Sequence, residues 1–198
     1  MKKIIFAAAA LFAFGFANAQ DKKESEGGKG YANGDIYVTG AVSFGTTKEG
    51  DVKTTGFEIN PMVGFFVTDN IAVGGQIGYE SDKTDNDGTT TFEENTLSIG
   101  AFGRYYFTPA NDFSLFGHLG LNYFTTDHGD ADYKTNGFNL GLRPGINYFL
   151  SDNWAIEATF GNLGFTSQKD DTDGAENETS FGLEWDMRAI GFGMTYKF

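Results

Sequence analysis

The chain has 198 residues, no cysteine, and 27 acidic against 14 basic residues, for a net charge of −13. Disulfide frameworks and cysteine-linked lipid anchors are excluded, and the acidity argues against a nucleic-acid partner. Glycine is dense (28 residues, beside 21 Phe and 9 Tyr) and falls in the apolar stretches, where it would weaken a helix; a mean hydropathy of −0.31 does not exclude membrane strands, which are only half apolar.

The first stretch, MKKIIFAAAALFAFGFANAQ, has two lysines, an apolar run from Ile4 to about Phe16, and Ala17-Asn18-Ala19. This is the layout of a secretory signal, and the run is too short for a spanning helix. Residues 1–19 are expected to be removed before Gln20. The charged, Gly-rich segment 20–34 reads as a flexible periplasmic linker. Residues 35–198 read as one all-β domain.

From Ile36 onward the apolar residues alternate with period two, the mark of half-buried strands. Eight such runs follow. They begin with Ile36 to Phe44, Phe57 to Val67, Ile71 to Tyr79 and Leu97 to Phe107. They continue with Phe113 to Tyr123, Phe138 to Tyr148, Trp154 to Phe160 and Ile190 to Phe198. Most approach the roughly 9–11 residues that a tilted strand needs to cross a bilayer. The connections alternate in length. Thr68-Asp69-Asn70, Thr108 to Asp112 and Ser151-Asp152-Asn153 are short, whereas Thr46–Thr55, Ser81–Thr91, Thr126–Asn136 and Ser167–Ser180 are expected as long loops. Short turns on one side and long loops on the other are the asymmetry of an outer-membrane barrel. PMVGFFVTDNIAVG (61–74) and PGINYFLSDNWAIE (144–157) repeat one layout, with an aromatic before the turn and an apolar residue after it, as in an interfacial girdle.

The signal, the eight alternating runs, the FVTDN and FLSDN turns and the terminal Tyr196-Lys197-Phe198 resemble the small eight-stranded outer-membrane β-barrel family of Gram-negative bacteria, the OmpA-, OmpX- and OmpW-like barrels. The resemblance covers about Asp35 to Phe198. It implies an eight-stranded antiparallel up-and-down transmembrane barrel in the cell outer membrane, surrounded by lipid and lipopolysaccharide. It also implies that Phe192, Met194, Tyr196 and Phe198 form the C-terminal signal read by the barrel-assembly machinery. The family is united by fold and implies little about activity.

An eight-stranded barrel is narrow enough to be filled by side chains. Residues on the inward parity include Glu58, Glu80, Arg104, His118, Arg143 and Glu157, with Arg188 near the outer end of the last run. Charges there should pair, and they are expected to form a lumen charge network with Arg143 at its centre. Inward Phe66, Phe102, Tyr106, Phe116 and Phe149 collect toward the short-turn end. The connections on the other side are acidic. DKTDNDG and KDDTDG approach the calcium-loop pattern, but Lys83 and Lys169 stand at the first ligand position, so weak divalent-cation binding is the most these loops promise. No catalytic constellation, metal-ligand set or cofactor motif stands out, and His128 beside Asp127 lacks a serine to complete a triad. The expected function is a non-enzymatic, structural or surface-contact role with a lumen largely plugged by charge pairs and aromatics. The alternative is a narrow channel or binder for small apolar solutes, which a hollow lumen or a side opening in the wall would favour. A soluble lipocalin-like barrel fits less well, because its interior would be apolar.

Overall fold

A computed structural model describes residues 28–129, 131, 133–185 and 190–198. The expected signal peptide lies outside these residues. Ten strands build one antiparallel sheet: β1 (Ile36–Glu49), β2 (Val52–Phe66), β3 (Ile71–Asn86), β4 (Thr89–Tyr106), β5 (Phe113–His128), β6 (Tyr133–Phe149), β7 (Trp154–Thr159), β8 (Asn162–Asp170), β9 (Glu178–Glu184) and β10 (Gly191–Lys197). Strands β1 to β6 pair in sequence order, β6 pairs with both β7 and β8, β8 pairs with β9, β7 pairs with β10, and β10 returns to β1 through Tyr37↔Lys197 to Gly40↔Met194. β7 and β8 are two halves of one stave, as are β9 and β10, so the barrel has eight staves, as the alternation predicts.

The alternation sorts the side chains. Outward positions such as Val73, Ile99, Leu121 and Leu140 are exposed, while inward Phe66, Phe102, Tyr106, Phe116 and Phe149 are buried. A belt of exposed apolar residues around a sheet whose interior holds the charges is the inverse of a soluble barrel, and it suits lipid. The short turns are tied as Asp, Asn and Ser allow: Thr68 Oγ1 accepts from Ile71 N at 2.9 Å, and Ser151 Oγ accepts from Trp154 N at 3.1 Å.

Three of the four connections expected as long loops are mostly strand, while the fourth keeps a loop over 171–177. β1 runs to Glu49 and β2 starts at Val52, and β3 and β4 are joined through Asp87 and Gly88, both at positive φ (48° and 77°), as a two-residue hairpin turn requires. Strands β1 to β6 are 14 to 18 residues long. At about 3.3 Å per residue they outrun the apolar layer and carry the hairpins beyond it. Threonine explains the difference. It favours strands without supplying apolar alternation, and it bonds across them, as Thr54 does to Thr84 (3.2 Å) and Thr96 to Thr126 (2.8 Å).

The linker reading also changes at its described end. Residues 28–34 fold into the end of the barrel that carries the short turns and both described termini, hereafter the lower end. Tyr31 N donates to Pro109 O (2.7 Å), Gly34 N donates to Phe66 O (2.8 Å), and the Tyr31 ring is buried.

Two staves are interrupted at the same height. Pairing of β6 slips by one residue between Gly145↔Thr159 and Leu142↔Leu163. This is a bulge at Phe160 and Gly161, where Gly161 has φ +67°. It faces Pro144, which has no N–H to give. On the other side, three steps from Thr159 to Asn162 correspond to seven from Glu184 to Gly191. Residues 186–189, Arg188 among them, lie in this interval and outside the described residues.

Candidate functional site: the lumen and its side opening

The lower lumen is a packed floor. Tyr31 stacks on Phe66 at 4.6 Å between ring centres and lies 4.8 Å from Phe149, 5.1 Å from Tyr106 and 5.5 Å from Tyr37. Phe116 joins through Tyr106. Small residues make room for these rings: a Cβ on Gly64 would overlap Tyr37, and one on Gly145 would overlap Phe116. The segment that brings Tyr31 is anchored at several points. Lys197 Nζ donates to the carbonyls of Gly28 (2.9 Å) and Gly30 (2.6 Å), and Lys29 pairs with Asp112 at 3.1 Å. Gly30 has φ +101°, and a Cβ there would collide with the Ala110 backbone, so glycine is required twice over.

Arg104 lies directly on this floor and is fully buried. Its Nη1 and Nη2 reach Glu157 at 2.7 and 3.1 Å, its Nε donates to His118 Nδ1 at 3.0 Å, and Nη1 also reaches the Tyr106 hydroxyl at 3.3 Å. The guanidinium packs over Phe116 at 4.6 Å and Phe102 at 5.5 Å. Thr195 Oγ1 lies 3.3 Å from Glu157 and 2.8 Å from Thr39 Oγ1, with one hydroxyl proton to give to either acceptor. A buried pair is stable only when its remaining donors and acceptors are met, and here groups on β2 (Met62 Sδ, 3.8 Å from Arg104 Nη2), β4, β5, β7 and β10 surround it. The stacking of His118 on Phe102 at 5.2 Å fixes the imidazole as well.

The expected charge network therefore divides. Arg104, His118 and Glu157 come together. Arg143, expected at the centre, does not join them; it is exposed to the hollow above, and its Nε donates to Asn162 Oδ1 at 3.2 Å. Arg104 takes the centre because its strand register sets it above the aromatic floor and opposite Glu157. Glu58 and Glu80 are register partners on β2 and β3, and both are exposed. Glu58 is hydrogen-bonded by Asn60. Arg188 lies outside the described residues. The sequence reading missed Tyr31 altogether.

Above the floor lies a cavity of about 930 Å³. Its wall is polar and mostly uncharged, with Asn60, Gln76, Ser98, Asn122 and Asn139 around it. Gln76 bonds Asn122, and Asn139 Nδ2 donates to Thr166 Oγ1 at 3.1 Å. Glycines again make the space, since a Cβ on Gly78 or Gly100 would strike these amides.

The cavity reaches the wall between the first and last staves. β1 pairs with β10 only up to Gly40, and β9 pairs with β8 alone. Among the described residues no strand lies against the far edge of β1 from Ala41 to Glu49, or against the far edge of β9. The most exposed apolar side chains among the described residues flank this opening: Phe181 at 74%, Phe192 at 73% and Phe44 at 70%. The opening thus falls within the apolar belt. Ala41 and Val42 line both the lumen cavity and an apolar groove of about 490 Å³ on the outer face, bounded by Gly40, Pro61, Met194, Trp154, Tyr196 and Phe198. Lumen cavity and outer groove therefore meet the same free edge of β1, at Ala41 and Val42.

The C-terminal residues sit as the alternation predicts. Phe192 and Met194 are exposed on the lipid face, and Tyr196 packs against Trp154 at 4.9 Å and Phe198 at 5.0 Å. Phe198 N donates to Ile36 O at 3.0 Å across the closing seam.

Residues 6–198 match the family model of the outer membrane protein beta-barrel domain. No curated protein matches the sequence. Among solved structures, the outer membrane protein OprG from Pseudomonas aeruginosa is similar over 85% of this chain and 98% of its own, with 17% identity and a TM-score of 0.55. Neisserial surface protein A is similar over 82% and 97%, with 20% identity and a TM-score of 0.42. Identities this low speak to the fold alone. With the belt of exposed apolar side chains and the eight-stave closure, the family match makes this chain a member of the outer membrane protein β-barrel domain family, resident in the outer membrane.

Proposed function

We propose that this outer-membrane barrel is a non-enzymatic conduit that admits small apolar or amphiphilic solutes from outside and releases them sideways into the membrane, while its periplasmic end stays shut. The observation that supports the reading is that, among the described residues, the facing edges of β1 and β9 are unpaired where the lumen cavity and the apolar outer groove both reach Ala41 and Val42. A solute crossing the polar surface of the outer membrane needs a wetted entry, which the amide-lined upper lumen provides. It then needs an exit into hydrocarbon, which the apolar rim provides. The floor at Tyr31 and Arg104 argues against onward passage to the periplasm. His118 and Glu157 are both engaged by Arg104, which leaves neither group poised for catalysis.

A structural or surface-contact role is the second reading, favoured by the acidic hairpins that stand beyond the membrane. Their carboxylates suit divalent cations bridging to lipopolysaccharide phosphates. The exposed face of Phe192 and Met194, with Phe198 at the seam, suits recognition by the barrel-assembly machinery. Phe198→Asp should lower the amount of heat-modifiable, folded protein in the outer membrane.

The conduit is tested by the entry of N-phenyl-1-naphthylamine into cells whose outer membrane carries the protein, at matched levels of folded barrel. Wild type should raise the rate, and Ala41→Trp, at the lumen side of the opening, should return it to background. Steady conductance of the wild type in a planar bilayer should stay low. Equal rates for wild type, Ala41→Trp and cells without the protein would favour the structural role.

A further inference from the structure

The charged groups lining the upper cavity are Glu58, Arg104, Arg143 and Glu157. Arg104 and Glu157 neutralise each other at 2.7 Å, and Glu58 is held by Asn60. Arg143 differs. Among the described residues it has one hydrogen bond, from Nε to Asn162, and no ion pair. Its two Nη groups have no partner there. Asn162 follows the bulge at Gly161, so the bond ties Arg143 to the stave break level with the opening. Arg143, Ala41, Gly191 and Gly193 line one cavity.

We propose that Arg143 binds the anionic head of a single-chain amphiphile, a carboxylate, whose tail leaves through the side opening into the apolar groove. This rests on the lateral route proposed above and names its substrate class. A guanidinium offers two parallel N–H donors that match a carboxylate, and Nε is already fixed by Asn162 in a way that steadies the plane. Hydrocarbon beside the site lowers the local dielectric and strengthens the pairing. Glu58 in the same cavity disfavours small free anions. A tail in the groove supplies what they lack, because each buried methylene contributes about 0.8 kcal/mol. One chain, rather than two, suits a solute that passes between two strand edges.

The experiment uses the full-length protein in lipid nanodiscs with decanoate and decanol as probes, read by the combined emission of Trp154 in the groove and Trp185 at the rim and, in parallel, by probe entry into vesicles carrying the protein. Decanoate should bind wild type saturably. Arg143→Gln should weaken decanoate by roughly 10- to 100-fold, the worth of a charge-assisted bond, and change decanol less than about twofold. Arg143→Lys should recover part of the loss. Equal decanoate affinity in wild type and Arg143→Gln, or an equal loss for decanol, overturns the anion site. If decanol enters through wild type but decanoate shows no dependence on Arg143, the anion site fails and the lateral route stands. If decanoate binds at Arg143 but neither probe enters faster than through protein-free vesicles, the route fails and the anion site stands alone.

Discussion

The lower and upper halves of this barrel are made of the same staves and are held together differently. Below, β1 meets β10, five strands contribute to one buried ion pair, and aromatic rings fill the bore. Above, the wall is interrupted, the bore is hollow, and polar side chains bond to near neighbours along long hairpins. The difference teaches that a barrel does not need uniform closure to be stable. A well-packed ring at one end can hold the staves in place while the other end is free to open for function, in the way that binding regions are generally drawn from the less stable part of a fold.

Four measurements break or sharpen that contrast, each read as the urea midpoint of the heat-modifiable folded form unless stated. The largest effect is expected at Arg104. Arg104→Ala strands Glu157 in a dry site and should cost about 3–5 kcal/mol, whereas Arg143→Ala in the hollow should fall within about 0.5 kcal/mol of wild type. Similar losses for the two would mean that the halves do not differ. Next comes Tyr31. Tyr31→Ala should cost about 3 kcal/mol, in the range for truncating a buried aromatic, and should add a steady bilayer conductance that wild type lacks. A destabilised variant that remains silent would place the seal at Arg104 instead. Third is Gly30→Ala, which forces a side chain into a left-handed position against Ala110. A loss of about 1–3 kcal/mol with the same new conductance is expected, since it dislodges the segment without touching the ring. Smallest is the double change Thr54→Ala with Thr84→Ala on the projecting hairpins, expected to cost less than about 1 kcal/mol. A loss as large as that at Tyr31 would show the hairpins to be part of the stabilising framework.

Period-two alternation was enough to place eight staves, because lipid on one side and a filled bore on the other demand opposite chemistry at adjacent residues. It also placed Phe66, Phe102, Tyr106, Phe116 and Phe149 low in the bore, where the structure has them. The stave breaks left a trace that is plain in retrospect. Outward parity runs through Trp154, Ile156 and Ala158, then changes to Leu163 and Phe165, and such a switch is what a one-residue bulge produces. The last stave switches likewise, from Phe181 and Leu183 to Phe192 and Met194. Reading its lower half alone hid the opening. The hairpin extensions were hidden because threonine and charge on both faces give no apolar rhythm. The choice between Arg104 and Arg143 depended on stagger between strands, which parity within one strand does not encode. Tyr31 stands in a stretch of glycine and charge that has every compositional mark of a spacer, and only the pocket between its neighbours gives it a role.

The amine of Lys197 holds the carbonyls of Gly28 and Gly30, partners 169 and 167 residues away in sequence. These contacts span nearly the whole domain, and a loop of that length is costly to close before other contacts shorten it. The segment around Tyr31 precedes the strands in the chain, and Pro109 and Asp112 hold it from the β4–β5 turn, yet the clamp from Lys197 needs the last strand in place. The Lys197 clamp thus joins a segment before the first strand to the last strand, and it completes only when that strand is seated. One lysine amine so fastens the seam strand and the plug of the bore to each other, and loss of either would loosen both.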